Sequence, residues 1–114
     1  MNASKMITNQ AQQVWDDGDI ENAKSLYFQA LKINPREASA LIDLACLFSR
    51  LKNDQKAYAY AMQSTWVDPF NAIAWFNLGC CTYNLGDKEK ANQHFNKCLE
   101  IDPSHEDARQ YLEE

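Results

Sequence analysis

The chain has 114 residues, of which 46% are hydrophobic and 24% are charged, and its formal net charge is −5. This composition is typical of a folded chain and not of a disordered one. The acidic balance argues against nucleic acid and anionic membranes as partners, because both bind basic surfaces. No apolar run is long enough to span a bilayer, and the N-terminal stretch lacks the apolar core of a signal peptide.

The prolines divide the chain at a constant interval. Pro35, Pro69 and Pro103 each follow an Asn or Asp, and the apolar residues between them recur with helical spacing. A proline marks a point where a helix has already ended. We therefore predict helices over 5–17, 20–33, 38–51, 54–67, 72–84 and 88–101.

The first two helix pairs differ in their turns. Gly18-Asp19 supplies turn and N-cap chemistry between the first two helices. In the second pair Lys52-Asn53 replaces this dipeptide, and we expect the asparagine to provide the left-handed backbone geometry. Ala61 stands where the other pairs have a large aromatic residue. The candidates to fill that space are Tyr58, Tyr60 and Trp66.

The third pair has the most complete pattern. It reads Trp75-x2-Leu78-Gly79, then Ala91-x3-Phe95, then Pro103. The small residues Gly79 and Ala91 allow the two helices to approach closely. After this pair, Ser104 and Asp107 have the spacing of a capping box, which predicts one more helix toward the C-terminus.

These motifs resemble the tetratricopeptide repeat family, whose unit is a helix–turn–helix of about 34 residues. The resemblance covers nearly the whole chain and gives repeats 4–37, 38–71 and 72–105, with a capping helix over 106–114, in one domain spanning 1–114. It implies an all-α fold, an α-solenoid in a right-handed superhelix with a concave inner face. It also implies a protein–protein interaction scaffold or adaptor that holds a peptide segment of a partner in that groove.

In this family the first helix of each repeat lines the groove. At the corresponding positions the chain has amides, hydroxyls, aromatics and nearly balanced charges. Amides can pair with the backbone of an extended peptide, and aromatic rings can form pockets for its side chains. For Trp15 and Tyr83 two positions remain open, in the groove or packed sideways against the next helix. The expected peptide-binding residues are Thr8, Asn9, Gln12, Trp15, Ile42, Asp43, Cys46, Arg50, Ile73, Phe76, Asn77, Cys80, Tyr83 and Asn84.

Chaperone-binding members of the family grip a C-terminal carboxylate with a clamp of Lys, Arg and Asn. At the matching positions this chain has Thr8, Gln12, Asp43, Ile73 and Asn77, with no basic residue among them. We therefore do not expect a carboxylate-clamp chaperone tail as the ligand. A carboxylate-poor, partly apolar peptide is the better candidate.

The sequence gives no indication of an enzyme, a cofactor or a metal site. It contains no glycine-rich phosphate loop, H-E-x-x-H motif or nucleophile elbow. The four cysteines form no C-x-x-C pair and have no nearby histidine at ligand spacing. Free thiols fit a reducing compartment, so we expect a cytoplasmic protein.

Two alternatives to a groove-binding adaptor remain. The chain could be a self-assembling structural unit, in which the end face of repeat three or repeat one stacks on another copy, or it could be a secretion-type chaperone. Exposed Tyr111 and Leu112 beside a short cap would favour self-assembly. In solution we expect a monomer or a weak homo-oligomer. The partner, the pathway and the completeness of the chain do not follow from the sequence.

Overall fold

A computed structural model describes residues 2–113, which form seven α-helices and no strand. The all-α prediction is confirmed, and the first six helices end within two residues of the predicted bounds. The predicted cap also included Glu114, which lies outside the described residues. The helices are α1 (Ala3–Asp16), α2 (Ile20–Ile33), α3 (Ala38–Arg50), α4 (Asp54–Val67), α5 (Ala72–Asn84), α6 (Lys88–Ile101) and α7 (Glu106–Glu113).

Side-chain caps explain where most of these helices begin. Asp19 accepts a hydrogen bond from the backbone N–H of Asn22, and Asn53 and Asp87 make the same contact three residues ahead. An acceptor at this position satisfies one of the backbone N–H groups that the first turn of a helix leaves unpaired. Asn2 caps α1 in this way, so the helix begins two residues earlier than predicted.

The turn of the second pair differs from the prediction. Lys52, and not Asn53, has the positive φ, at 62°, while the asparagine side chain caps α4. Lys52 takes the position that Gly18 and Gly86 take in the other pairs, where φ is 92° and 97°. The residue with positive φ comes first, because the residue after it caps the next helix with its side chain. Lys52 therefore takes the left-handed conformation and Asn53 caps α4.

The last helix also begins differently from the predicted capping box. Nδ1 of His105 accepts a hydrogen bond from the backbone N–H of Ala108 at 3.2 Å. Ser104 instead donates its hydroxyl to Asp102, 2.6 Å away. The residue that caps α7 is therefore His105.

The core is built from many small residues and a few large rings. Tyr27 and Phe95 are fully buried in α2 and α6, whereas the equivalent residue of α4 is the buried Ala61. Tyr60 stacks on Phe48 with a centroid distance of 5.6 Å. Trp66 does not fill the space, because 81% of its surface is exposed.

The arrangement of the helices defines an inner and an outer layer. Helices α1, α3 and α5 each pack on the next helix in sequence, and α3 also packs directly on α1 and on α5. The odd-numbered helices are therefore the more closely spaced layer, which lies on the inner, concave side of an α-solenoid. The even-numbered helices form the outer, convex layer.

Candidate functional site

The concave face contains a cavity between α3 and α5. Its volume is about 220 Å³. Asn77 of α5 donates a hydrogen bond from Nδ2 to the Sγ atom of Cys46 on α3, at 3.3 Å. The cavity is lined by Ala45, Cys46, Ser49, Arg50, Asn77, Cys80 and Cys81, which include four of the residues expected in the groove.

A second concave cavity, of about 500 Å³, lies between α5 and α7. Phe76 and Tyr83 line it from α5, and Asp107, Gln110 and Tyr111 line it from α7. Sequence reasoning did not assign the α7 residues to the groove. The repeat spacing could have identified them, because Asp107 and Gln110 stand one period after Ile73 and Phe76.

Two of the three large aromatics of α5, Phe76 and Tyr83, contact Tyr111 of the last helix. The Phe76 ring lies 4.7 Å from His105 and 5.8 Å from Phe95, measured between ring centroids. The Tyr83 ring meets Tyr111 edge-on at 5.3 Å. Each remains partly exposed, so each ring shapes a wall of the cavity while stabilising the docking of α7.

The first helix places its predicted residues in different environments. Asn9 and Gln12 are exposed, whereas Thr8 is only 2% exposed and donates its hydroxyl to the backbone carbonyl of Ser4. The placement of Thr8 in the groove is therefore wrong. Ser4, Thr8 and Ala11 form a buried stripe of small residues on α1, and the internal hydrogen bond removes the cost of burying the hydroxyl.

Trp15 packs sideways as well as bordering the concave face. Its ring meets Tyr27 edge-on at 6.3 Å, and the Arg50 guanidinium lies 5.6 Å above it. The remaining predicted residues vary in exposure. Asn84 and Ile73 are exposed, the latter by 55%, and Ile42, Asp43 and Cys80 are half-buried.

A partly buried hydrogen bond connects the inner and outer layers. The Tyr27 hydroxyl of α2 donates to Oδ2 of Asp43 on α3 at 3.0 Å. Burial raises the pKa of Asp43, and the bond from Tyr27 opposes this effect. Burial and the nearby Asp43 charge also raise the pKa of Tyr27, which therefore keeps its proton.

We expect Tyr27→Phe to destabilise the fold by about 2 kcal/mol at pH 7, since it leaves a partly buried carboxylate without its donor. The cost should shrink below the pKa of Asp43, where the acceptor is neutral. Urea unfolding at pH 7 and pH 4 measures both values. Tyr58→Phe is the matched control, because its hydroxyl makes no hydrogen bond to any residue between 2 and 113.

The variant Asp43→Asn tests the electrostatic part of this interpretation. A raised folded-state pKa means that Asp43 contributes most to stability below its ordinary pKa and less as the pH rises through the folded-state value. The amide keeps an acceptor for Tyr27 without the charge. Asp43→Asn should therefore be more stable than the wild type at pH 7, and a lower stability at that pH would contradict the assignment.

The thiols of the chain are poor nucleophiles. Burial raises the pKa of Cys80 to about 11 and that of Cys81 to about 12. Burial also raises the pKa of Cys46, against the opposing hydrogen bond from Asn77. Thiols with raised pKa values are mainly protonated near neutral pH, which suits a packing role.

Residues 2–113 contain neither a helix that could span a membrane nor a cluster of metal-binding side chains. None of their helices combines the length and apolar character needed to cross a bilayer. Nor do their His, Cys, Asp and Glu side chains form a group of three or more that could hold a metal ion.

Comparison with known proteins places the chain among helical-repeat proteins. Residues 72–105 match the tetratricopeptide repeat model. The chain is 27% identical over 92 residues to the tetratricopeptide repeat-containing protein trd-1 of Caenorhabditis elegans, a match over 80% of this chain and 12% of that protein. It spans between 8% and 25% of the length of five curated relatives that it matches.

Solved structures superpose on nearly all of the chain. The Sgt2 tetratricopeptide repeat domain of Aspergillus fumigatus has a TM-score of 0.90 and 25% identity, covering 99% of this chain and 76% of that domain. The first such domain of Spaghetti (RPAP3), bound to the HSP90 peptide SRMEEVD, has a TM-score of 0.91 and 17% identity. This match covers 96% of this chain and 89% of that one. With its matched repeat, its relatives and this α-solenoid fold, the chain belongs to the tetratricopeptide repeat family.

Proposed function

We propose that the chain is a protein–protein interaction scaffold that binds a peptide segment of a partner along its concave face. The observation that supports this most is the pair of open cavities between successive inner helices. Both have mixed polar and apolar linings, as expected for a surface that holds side chains of an extended peptide. The Spaghetti (RPAP3) domain, which shares the fold, was solved with a bound peptide.

The proposed groove retains most of the expected residues. Gln12 and Asn77 offer amides that can pair with the peptide backbone, and Ile73 offers an exposed apolar surface. Thr8 is excluded by its burial. We also propose the division into repeats 4–37, 38–71 and 72–105, with a capping helix over 106–114.

The charges of this face favour a carboxylate-poor peptide. Asp107 lines the cavity between α5 and α7, Asp43 lies on the inner helix α3, and the cation Arg50 is engaged over the ring of Trp15. A C-terminal carboxylate would therefore meet like charge, and we do not propose a carboxylate-clamp chaperone tail as the ligand. The cysteines are free, which fits a reducing compartment, so we propose a cytoplasmic location. We also propose that the chain has no catalytic role.

Self-assembly through the C-terminal end would need Tyr111 and Leu112 to be exposed. Tyr111 and Leu112 pack against the core cluster around Phe95 and are only partly exposed. They do not form an open apolar end face. No feature of the groove favours the secretion-type chaperone over the adaptor.

The test is selection of binders from a displayed library of 12-residue peptides, followed by calorimetry with the selected sequences. We expect the double variant Gln12→Ala, Asn77→Ala to weaken binding about 10- to 100-fold, since it removes two hydrogen-bonding amides. Phe76 is not replaced in this test, because its ring also packs against Tyr111 of α7 and its loss would disturb the fold.

The matched control is Gln93→Ala, Asn96→Ala, which removes two exposed amides from the outer helix α6. This control should bind the selected peptides with wild-type affinity. If the control loses binding while the concave variant keeps it, the peptide site lies on the outer face and the groove proposal fails.

A further inference from the structure

Helix α4 has apolar residues on both of its faces. Its buried face consists of small residues, namely Ala57, Ala61, Ser64 and Thr65. Its large apolar residues Tyr58, Met62 and Trp66 recur every four positions and therefore share another stripe of the helix. Tyr58 and Met62 are partly buried against the core, whereas 81% of the Trp66 surface is exposed.

This stripe lines one of two adjoining cavities on the outer layer, which together we name the convex groove. The first, of about 580 Å³, has Phe28, Leu31 and Tyr60 among its apolar lining residues. The second, of about 550 Å³, lies along the α4 stripe. Gln63 lines both cavities, so the two form one surface that runs from α2 across α4.

The charges around the convex groove are opposite in sign to that of the whole chain. Lys32 lines the first cavity and Arg36 lines the second, and no carboxylate lines either one. Neither cation forms an ion pair with any residue between 2 and 113. The formal net charge of the chain is −5, so this basic, apolar surface is a local exception.

We propose that the convex groove binds an amphipathic helix of a partner protein, with aromatic and aliphatic residues on one face and Glu or Asp along its edge. The apolar lining matches the first feature, and the unpaired Lys32 and Arg36 match the second. Along α4 the groove is lined by apolar and aromatic residues, apart from Gln63 and Arg36. A helix satisfies its own backbone and therefore suits such a surface better than an extended segment.

The probe is a synthetic 16-residue helical peptide with Leu, Phe and Trp on one face and Glu along both edges, measured by fluorescence anisotropy. A second peptide has Lys in place of each Glu. We expect the acidic peptide to bind at least about 10-fold more tightly at 0.05 M salt, with a smaller ratio at 0.5 M, because salt screens exposed charges. The double variant Lys32→Glu, Arg36→Glu should abolish or reverse this preference.

Trp66→Ala should weaken binding of the acidic peptide by about 10-fold or more, as expected for an aromatic residue at a binding surface. Because the side chain is exposed, the thermal unfolding midpoint should stay near the wild-type value. The matched control is Leu85→Ala, which removes an exposed apolar side chain outside both grooves and should leave the affinity unchanged.

Three outcomes would overturn the proposal. These are equal binding of the acidic and basic peptides, full binding by Trp66→Ala, and loss of binding in the concave variant Gln12→Ala, Asn77→Ala. A concentration-dependent dimer in sedimentation that Trp66→Ala abolishes would instead assign the groove to a second copy of the chain. The concave-groove proposal can fail without affecting these results, because its variants lie on the other layer.

Discussion

Replacing Gly79 by alanine should destabilise the fold by about 3 kcal/mol, although alanine is the better helix former. A Cβ atom at this position would lie 2.6 Å from Cε1 and 2.7 Å from Cδ1 of the Phe95 ring. Phe95 is fully buried, and Tyr111 stacks on its ring at a centroid distance of 4.6 Å. The ring can therefore make room for the new methyl group only by displacing the side chains packed around it.

Urea and thermal unfolding would measure this effect, and the midpoint should fall by roughly 10–15 °C for a chain of this length. Gly86→Ala separates steric overlap from backbone strain. Its Cβ would meet no atom within 4 Å, so its cost of about 1–2 kcal/mol should come from the positive φ alone.

A compensating change locates the overlap. In the Gly79→Ala background, Phe95→Leu should cost less than it does in the wild type, because the smaller side chain relieves the contact with the new methyl group. Strictly additive effects, or a Gly79→Ala variant as stable as the wild type, would show that the ring can shift after all.

The helices could be predicted because most of their boundaries depend on local signals. Asp19, Asn53 and Asp87 cap helices through contacts only three residues away. The C-terminal ends of α2, α4 and α6 are marked by the proline that follows each of them. The error at Lys52 arose from weighing residue types one at a time. Comparison with Gly18 one repeat earlier would have assigned the positive φ to the lysine.

The concave residues were harder to place, because their exposure depends on distant helices. Phe76 has the periodicity of a groove residue, but α7 covers part of its ring, and the position of that helix follows from packing. Thr8 is polar yet buried, because its hydroxyl bonds to its own helix. Its position in the repeat pattern assigned it to the groove, but that pattern does not determine whether the side chain is buried.

The exposed surface of the outer layer could not be predicted from the sequence. Trp66 was a candidate to fill the space left by Ala61, and only the structure shows that Tyr60 stacks on Phe48 while the tryptophan stays exposed. Helical spacing predicts that Tyr58, Met62 and Trp66 share a stripe. It does not determine whether another helix covers that stripe.

Helix α7 depends on Tyr111, so Tyr111→Ala should destabilise the fold by about 3 kcal/mol and release this helix. The tyrosine ring stacks on Phe95 and meets Phe76 and Tyr83 edge-on, at 6.0 and 5.3 Å. Its hydroxyl also hydrogen-bonds the thiol of Cys80 on α5. An eight-residue helix is too short to persist in water without such packing.

Hydrogen exchange distinguishes release of α7 from uniform weakening of the fold. In Tyr111→Ala the amides of residues 106–113 should lose their protection, while those of α1 and α2 keep theirs. Tyr111→Phe is the matched control, because it keeps the ring and removes only the bond to Cys80, at a cost of about 1 kcal/mol. Unchanged protection of residues 106–113 in Tyr111→Ala would mean that Ala108 and Leu112 suffice to hold the helix. The α7 wall of the concave cavity would then not depend on the aromatic cluster.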